Sequence, residues 1–261
     1  MADKFAIITG ASTGIGFELA TLAAQDGYDI LVVADEALIN DAARDFEQFG
    51  TSVQAVEADL STIEGVDKLL AAANGRRIDV LCANAGRGLG HGFLDQKVED
   101  WRHVVDTNIT GTAYLLQRVL PDMVARNDGK VLVVGSIAGY IPGAFQAVYN
   151  GTKAFIDSFT EALRNELKDA DGVTISTLMP GPVDTEFFAR GDLLDTQVGS
   201  DPNKRSAEDV AKDGWKALMS GKPSVFSGWT TKIQGVLANV VPGSVLAEQH
   251  RKMAEPGSAK D

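Results

Sequence analysis

A parallel β-sheet covered by helices on both faces, doubly wound into three layers, is the fold the sequence predicts. Three observations point to it. Strand-like and helix-like segments alternate along almost the whole chain, the pattern of an α/β domain. The strand-like segments, such as Ile30-Leu31-Val32-Val33-Ala34, are continuous apolar runs, as strands buried on both faces are. The first of them, Phe5-Ala6-Ile7-Ile8, runs into Thr9-Gly10-Ala11-Ser12-Thr13-Gly14-Ile15-Gly16 and then a helical pattern. Strand, glycine-rich turn and helix in that order make a phosphate cradle or, more simply, a tight strand-to-helix turn.

The first unit is a strand at 4–9, the glycine loop and a helix at 17–26, with Gly27 as its C-terminal cap. Strand two, 30–34, ends at Asp35-Glu36, and a helix near 38–48 stops before Gly50. Strand three, about 52–57, ends at Ala58-Asp59-Leu60, and Ser61 is the expected cap of a helix over 63–73. Strand four, 79–83, runs into Asn84-Ala85-Gly86 and a Gly-rich loop at 86–92. Helical pattern fills about 97–125, interrupted around Thr107-Asn108. Strand five, 130–135, leads to Ser136; a loop at 137–148 precedes a long helix over about 149–168. Strand six, 173–178, ends in Met179-Pro180-Gly181-Pro182. Residues 183–206 are mixed and polar, carry Phe187-Phe188, and read as a substrate flap. A helix at 207–219 and a strand near 223–227 follow. Residues 229–261 read as a C-terminal extension and tail, with Glu255 to Asp261 expected to be disordered. The whole of 1–261 is expected to form one domain.

The net charge of −12, from 24 basic and 36 acidic residues, argues against a general affinity for nucleic acid or anionic membranes. Cys82 is the only cysteine, so no intrachain disulfide forms and a reducing compartment fits; inside a strand, it is expected to be inert core. Met1-Ala2-Asp3-Lys4 lacks the features of a signal peptide, and no apolar run reaches membrane-spanning length. A soluble, cytoplasmic protein is expected. The three histidines are isolated, so no metal site is expected.

Ligands of an open parallel sheet sit at the carboxyl ends of its strands. The unusual residues cluster there: the glycine loop, Asp35, Asp59, Asn84-Ala85-Gly86, Ser136 and Pro180-Gly181. Tyr149 and Lys153 lie four apart at the start of the long helix and share a face. A lysine ammonium favours the phenolate of a neighbouring tyrosine. The pair can then exchange a proton with an alcohol or carbonyl oxygen, which the Ser136 hydroxyl can hold in place.

With these residues assembled, the chain resembles the short-chain dehydrogenase/reductase family over roughly residues 4–228. Thr9 to Gly16 match the family's TGxxxGxG. Ala83-Asn84-Ala85-Gly86 match its NNAG, with Ala83 replacing the first Asn. Tyr149-Asn150-Gly151-Thr152-Lys153 match its YxxxK, with Ser136 upstream, and Pro180-Gly181-Pro182-Val183-Asp184-Thr185 match its PG…T element. The resemblance implies a three-layer Rossmann fold and an NAD(P)-dependent oxidoreductase. It implies Tyr149 as general acid/base, Lys153 as the residue that lowers its pKa and holds the nicotinamide ribose, and Ser136 as the group that orients the substrate oxygen. It implies that Asn108 orders a water in a proton relay through Lys153; a helix cap is the other use of that residue. For the cofactor it implies contacts from Gly10, Ser12, Thr13, Gly14, Ile15, Gly16, Asp59, Leu60, Asn84, Ala85, Gly86, Tyr149, Lys153, Pro180, Gly181, Val183 and Thr185.

A carboxylate at the end of strand two accepts a ribose hydroxyl and repels a 2′-phosphate, so Asp35-Glu36 favours NAD. Thr13 stands where NADP-preferring family members often carry a basic residue, which points the same way. Counting from Gly16, however, the family's NAD-selecting acid falls at Ala34, one residue before Asp35, so NADP stays open.

Apolar candidates for the substrate pocket are Leu89, Phe93, Ile137, Tyr140, Phe145, Phe187 and Phe188, some of which can equally belong to the core. They favour a hydrophobic secondary alcohol or ketone. Arg87 and Arg190 are available to an anionic group, or to water. The resemblance implies a homotetramer or dimer, formed through helices at about 109–125 and 149–168 that carry Leu115, Leu116, Phe155, Phe159 and Leu163. A cofactor-binding sensor without turnover is the alternative, and intact Ser136, Tyr149 and Lys153 argue against it.

Overall fold

The computed structural model describes residues 4–228, 231, 233, 235 and 240–259. In chain order the elements are β1 (Phe5–Thr9), α1 (Gly14–Gln25), β2 (Asp29–Ala34), α2 (Ile39–Glu47), β3 (Val53–Glu57), α3 (Ile63–Ala72) and β4 (Val80–Ala83). Next come α4 (Val98–Val105), a π-helical stretch (Asp106–Gly111), α5 (Thr112–Ala125), β5 (Gly129–Val134), α6 (Ala147–Glu166) and β6 (Val173–Pro180). Then follow β7 (Val183–Asp184), α7 (Phe187–Arg190), α8 (Gln197–Ser200), β8 (Arg205–Ser206), α9 (Ala207–Met219) and β9 (Ser224–Ser227). The helix Gly243–Ala254 is called α10.

Seven strands form one parallel sheet in the order β3-β2-β1-β4-β5-β6-β9. Successive side chains alternate between its faces. Ile7, Leu31, Leu81 and Val131 form one cross-strand row and belong to the core under α3, α5 and α6. Ile8, Val32, Cys82 and Leu132 form the next row and belong to the core under α1, α2 and α9. Both faces are therefore dry, which is why these strands read as unbroken apolar runs. Cys82 is fully buried, and burial pushes its thiol up to about 12, so it is an inert core side chain.

The order of strands reverses between β1 and β4, and the carboxyl ends of those two strands open a crevice. The interruption expected at Thr107-Asn108 is the π-helical stretch, which buries Thr107, Asn108 and Gly111. A Cβ on Gly111 would lie 1.9 Å from the Leu60 carbonyl oxygen, so glycine lets the helix press against the end of β3.

Several boundaries differ from expectation. Helix α1 starts at Gly14 rather than 17, and Thr62, not Ser61, caps α3 through a hydrogen bond from Gly65 N–H of 3.0 Å. Strand β6 continues to Pro180 because β9 pairs with its last residues, Met179 to Phe226 and Pro180 to Ser227. Leu115 and Leu116 are core, 2% and 1% exposed, while Phe155 is 41% exposed and stacks on Phe159. Residues 255–259 are tied down: Gly257 N–H and Ala259 N–H donate to the carboxylate and carbonyl of Asp195. Residues 229, 230, 232, 234, 236–239, 260 and 261 lie outside the described residues. Among those described, no helix is long and apolar enough to cross a membrane.

Candidate active site

A cleft of about 700 Å³ occupies the crevice at the carboxyl ends of the strands. Its floor is the glycine loop, where Gly10 (φ +64°) and Gly14 (φ +60°) take left-handed conformations that favour glycine. Thr13 begins α1 without a side-chain cap, and no acid lies in the first turn. Among the described residues the N–H groups of Gly14, Ile15 and Gly16 have no acceptor. Those of Gly14 and Ile15 present unpaired donors and a positive helix end to the cleft. Gly16 lies beneath the loop, not on the cleft wall; a Cβ there would stand 2.0 Å from the Gly10 carbonyl oxygen.

Asn84 ties this floor to β4. Its Nδ2 donates to the Thr9 and Gly10 carbonyls at 2.9 and 3.1 Å. Thr9 Oγ1 in turn accepts from the N–H groups of Asn84 and Ala85, each at 2.9 Å. At the end of β2, Asp35 pairs with Arg87 at 2.9 Å. Glu36 accepts hydrogen bonds from the Ser12 hydroxyl at 2.6 Å and from Arg190 at 2.7 Å. Burial would raise the Glu36 carboxyl, but these two donors outweigh it and hold it below the ordinary value. Both arginines thus bind the acidic rim of β2 rather than the substrate end.

On the opposite wall, Ser136 follows β5 and its Oγ accepts from Ala138 N–H at 3.1 Å, capping a 3-10 turn over Ile137–Tyr140. Tyr149 lies in the first turn of α6 and Lys153 one turn later, 9% and 6% exposed. Lys153 Nζ donates to the Val134 carbonyl at 2.8 Å and stands 5.9 Å from the Tyr149 ring centroid. The Tyr149 ring packs at 5.1 Å on Phe187 of the flap. Burial pushes the Tyr149 phenol up to about 12; Ser136, a hydrogen-bond partner, pulls it down and Asp157 adds to the rise. Burial brings the Lys153 ammonium down to about 8, with the Asp157 carboxylate opposing. The sequence expectation that lysine favours the phenolate is therefore outweighed by burial. A phenol that keeps its proton in such a cleft can donate it to an oxygen placed against it.

Asn108 sits behind this wall and does not line the cleft. It is 2% exposed, accepts from Arg87 N–H at 2.8 Å, and donates to the Arg87 carbonyl at 3.0 Å and to Thr152 Oγ1 at 2.9 Å. Thr152 Oγ1 donates onward to the Tyr149 carbonyl at 2.7 Å. Its carboxamide is thus spent on bracing the loop after Gly86 against α6.

Apart from Gly16, each cofactor residue expected from the sequence lines this one cleft, as do Ser136, Ile137, Phe187 and Phe188. Leu89 and Phe145 do not. Leu89 belongs to a loop drawn onto the flap by Gly90 N–H donating to Gly191 at 2.8 Å. Phe145 (φ +62°) carries the Arg251 guanidinium 5.0 Å from its ring and so braces α10. Phe93 packs on Trp101, and Tyr140 on Phe226. His91 pairs with Asp192 at 2.7 Å. Among the described residues no cluster of three or more His, Cys, Asp or Glu forms a metal site. Sequence reasoning missed Gln146 and, on α10, Leu246, Gln249, His250 and Met253, which line the same cleft.

Comparison with known proteins agrees with this architecture. The family described as short chain dehydrogenase matches residues 4–192. An uncharacterized oxidoreductase of Staphylococcus aureus is 31% identical over 225 residues, covering 85% of this chain and 94% of that protein. The structure of a short chain dehydrogenase/reductase from Burkholderia phymatum in complex with NAD superposes with a TM-score of 0.82 at 25% identity, over 90% of this chain and 92% of that one. A short-chain dehydrogenase from Sphingobium yanoikuyae in complex with NADPH gives a TM-score of 0.80 at 24% identity, over 91% and 96%.

Proposed function

The chain belongs to the short-chain dehydrogenase family, and on that premise we propose that it interconverts a secondary alcohol and a ketone with a nicotinamide cofactor, Tyr149 acting as general acid and base. One observation carries this reading: Ser136, Tyr149 and Lys153 line the same cleft as a loop whose helix N–H groups have no acceptor among the described residues. The residues present fit a dinucleotide. Gly10 and Gly14 shape a cradle that side chains would fill, since a Cβ on Gly14 would lie 2.9 Å from Thr185 Cγ2. The N–H groups of Gly14 and Ile15 suit a pyrophosphate. Asp59 and Leu60 would flank the adenine, and Pro180, Gly181, Val183 and Thr185 the nicotinamide end. When bound, the cofactor supplies or accepts the hydride.

In the reducing direction, Ser136 Oγ holds the carbonyl oxygen against Tyr149. As the carbonyl carbon gains its hydrogen, Tyr149 Oη gives its proton to that oxygen, and the phenolate left behind is stabilised by the Lys153 ammonium. A proton from Lys153 or solvent restores the phenol. The oxidising direction reverses each step. Asn108 acts as a positioning residue, through Arg87 and Thr152. NAD is the favoured cofactor, because Asp35 and Glu36 form an acidic rim at the end of β2. The walls around Tyr149 are mostly apolar, including Ile137, Ile141, Phe187 and Phe188, and suit a hydrophobic substrate. Homo-oligomerisation through α5 and α6 is part of the proposal, with exposed Phe155 and its neighbour Phe159 as the apolar surface.

The test is calorimetric titration with NADH and NADPH, then turnover of a ketone panel by wild type and Tyr149→Phe. An enzyme binds cofactor in both forms and loses kcat/KM by about 10²–10⁴ in the variant, the worth of a general acid. Cofactor binding with no turnover in wild type identifies a sensor instead.

A further inference from the structure

The cleft is also lined by two polar side chains outside the residues given roles above, Gln146 at the start of α6 and His250 on α10. Gln146 is only 5% exposed and lines the cleft. Its main chain is bonded, N–H to Gly143 and carbonyl from Asn150, but its carboxamide has no partner among the described residues. Its polar atoms are open to the cleft rather than sealed in the core, so a group bound in the cleft can satisfy them. His250 enters the same cleft from α10, its Nδ1 lying 2.9 Å from the Ala144 carbonyl oxygen, two residues before Gln146. A carbonyl only accepts, so Nδ1 carries the hydrogen and Nε2 is left as the acceptor. Burial pushes the ring's proton affinity down, against the pull of the Ala144 carbonyl, and so favours the neutral form. Nε2 has no protein partner among the described residues. Leu246, Met253 and Ile141 line the same cleft.

The charged side chains of the cleft lie elsewhere. Asp35–Arg87 and Glu36–Arg190 pair at the end of β2, Asp59 follows β3 and Glu186 lies on the flap, Lys153 donates to the Val134 carbonyl, and Arg251 of α10 lies over Phe145. An ionised substituent would find no counter-ion in Gln146 or neutral His250.

We propose that the substrate carries, besides the reacting carbinol or carbonyl, a second uncharged hydroxyl that donates to His250 Nε2 and meets the Gln146 carboxamide. The substrate class is then an apolar hydroxy-ketone or the matching diol. This rests on the oxidoreductase reading above and narrows it.

The experiment uses the cofactor-loaded protein and matched alkyl methyl ketones, plain or with one hydroxyl at increasing distance from the carbonyl. Wild type is expected to prefer a hydroxylated member at one spacing by about tenfold or more in kcat/KM, the worth of one buried hydrogen bond. Gln146→Leu and His250→Phe, each checked for cofactor binding, bring that ratio close to one. A ratio near one in wild type at every spacing overturns the proposal, as does a preference that survives both substitutions. If no ketone turns over, the oxidoreductase reading fails. The rise in melting temperature given by the same pairs then decides the subsite, since it needs no hydride transfer. Greater stabilisation by a hydroxylated member, lost in the variants, upholds the proposal; equal stabilisation overturns it.

Discussion

Asp157 follows Lys153 by one turn on the inner side of α6, and neither of its buried carboxylate oxygens makes a well-formed hydrogen bond. Gly135 and Gly139 make room for it: a Cβ on either would lie 2.0 or 2.3 Å from a carboxylate oxygen. Burial pushes the carboxyl up to about 7, against the pull of Lys153, the nearby Ser136 N–H and Arg164. Its negative charge in turn raises the proton affinity of both Lys153 and Tyr149.

Asp157→Asn should therefore shift the alkaline limb of ketone reduction to lower pH. Removing the charge lets Lys153 and Tyr149 release their protons earlier, and reduction needs the phenol protonated. The measurement is kcat/KM against pH for wild type and variant. A loss of rate with an unmoved limb would assign Asp157 to packing alone.

The same carboxyl makes folding depend on pH in the less usual direction. Its folded value of about 7 lies above the model-peptide value of 3.8. Between roughly pH 4 and 7 the folded state keeps a proton that the unfolded chain has lost, so this group's contribution to stability falls as pH rises. Asp157→Asn should flatten that fall. Urea unfolding at the two ends of the window, in wild type and variant, measures it; parallel slopes would contradict the burial argument.

Much of this site was legible because its chemistry sits where local pattern is strong. The glycine loop, Ser136 and the Tyr149–Lys153 spacing each follow or open an element marked by an apolar run. The break at Thr107-Asn108 showed because the helical period falters there. The α10 lining was not legible. Helix α10 buries only Leu246 and Ala254 of its own residues, too few to leave an amphipathic stripe. Arg87 and Asp35 are 52 residues apart, and no local rule pairs them. Leu89 and Phe145 read as pocket lining in the sequence because apolar character in a loop does not say which neighbour it meets. Phe145 meets Arg251.

Cofactor choice should respond to the rim of β2. Glu36 binds both Ser12 and Arg190, so its charge occupies the one arginine that reaches this rim from the flap. Glu36→Gln should release Arg190 toward a 2′-phosphate and raise the NADPH-to-NADH affinity ratio by about tenfold, the scale of one charge-assisted hydrogen bond. Titration with both reduced cofactors gives the ratio. An unchanged ratio would place the 2′ position away from Glu36 and return the choice to Asp35 and Arg87.

The tail gives the last prediction. Gly257 N–H donates to the Asp195 carboxylate at 2.8 Å, Ala259 N–H to the Asp195 carbonyl at 2.8 Å, and Gln197 N–H to Ser258 Oγ at 3.1 Å. These bonds fasten the segment before α8 to the end of α10, and α10 walls the substrate side of the cleft rather than the glycine loop. Ending the chain after Glu255 removes all three and should cost about 1–3 kcal/mol of stability at most, since each is partly replaced by water. The functional effect should be selective. KM for a ketone should rise several-fold, because α10 is less firmly held, while the cofactor dissociation constant stays within a factor of about two, a change worth less than 0.5 kcal/mol. Steady-state kinetics and calorimetry on the shortened chain separate the two. An equal loss of cofactor affinity would mean that the tail supports the dinucleotide half of the cleft as well, and that the two halves are coupled through the flap.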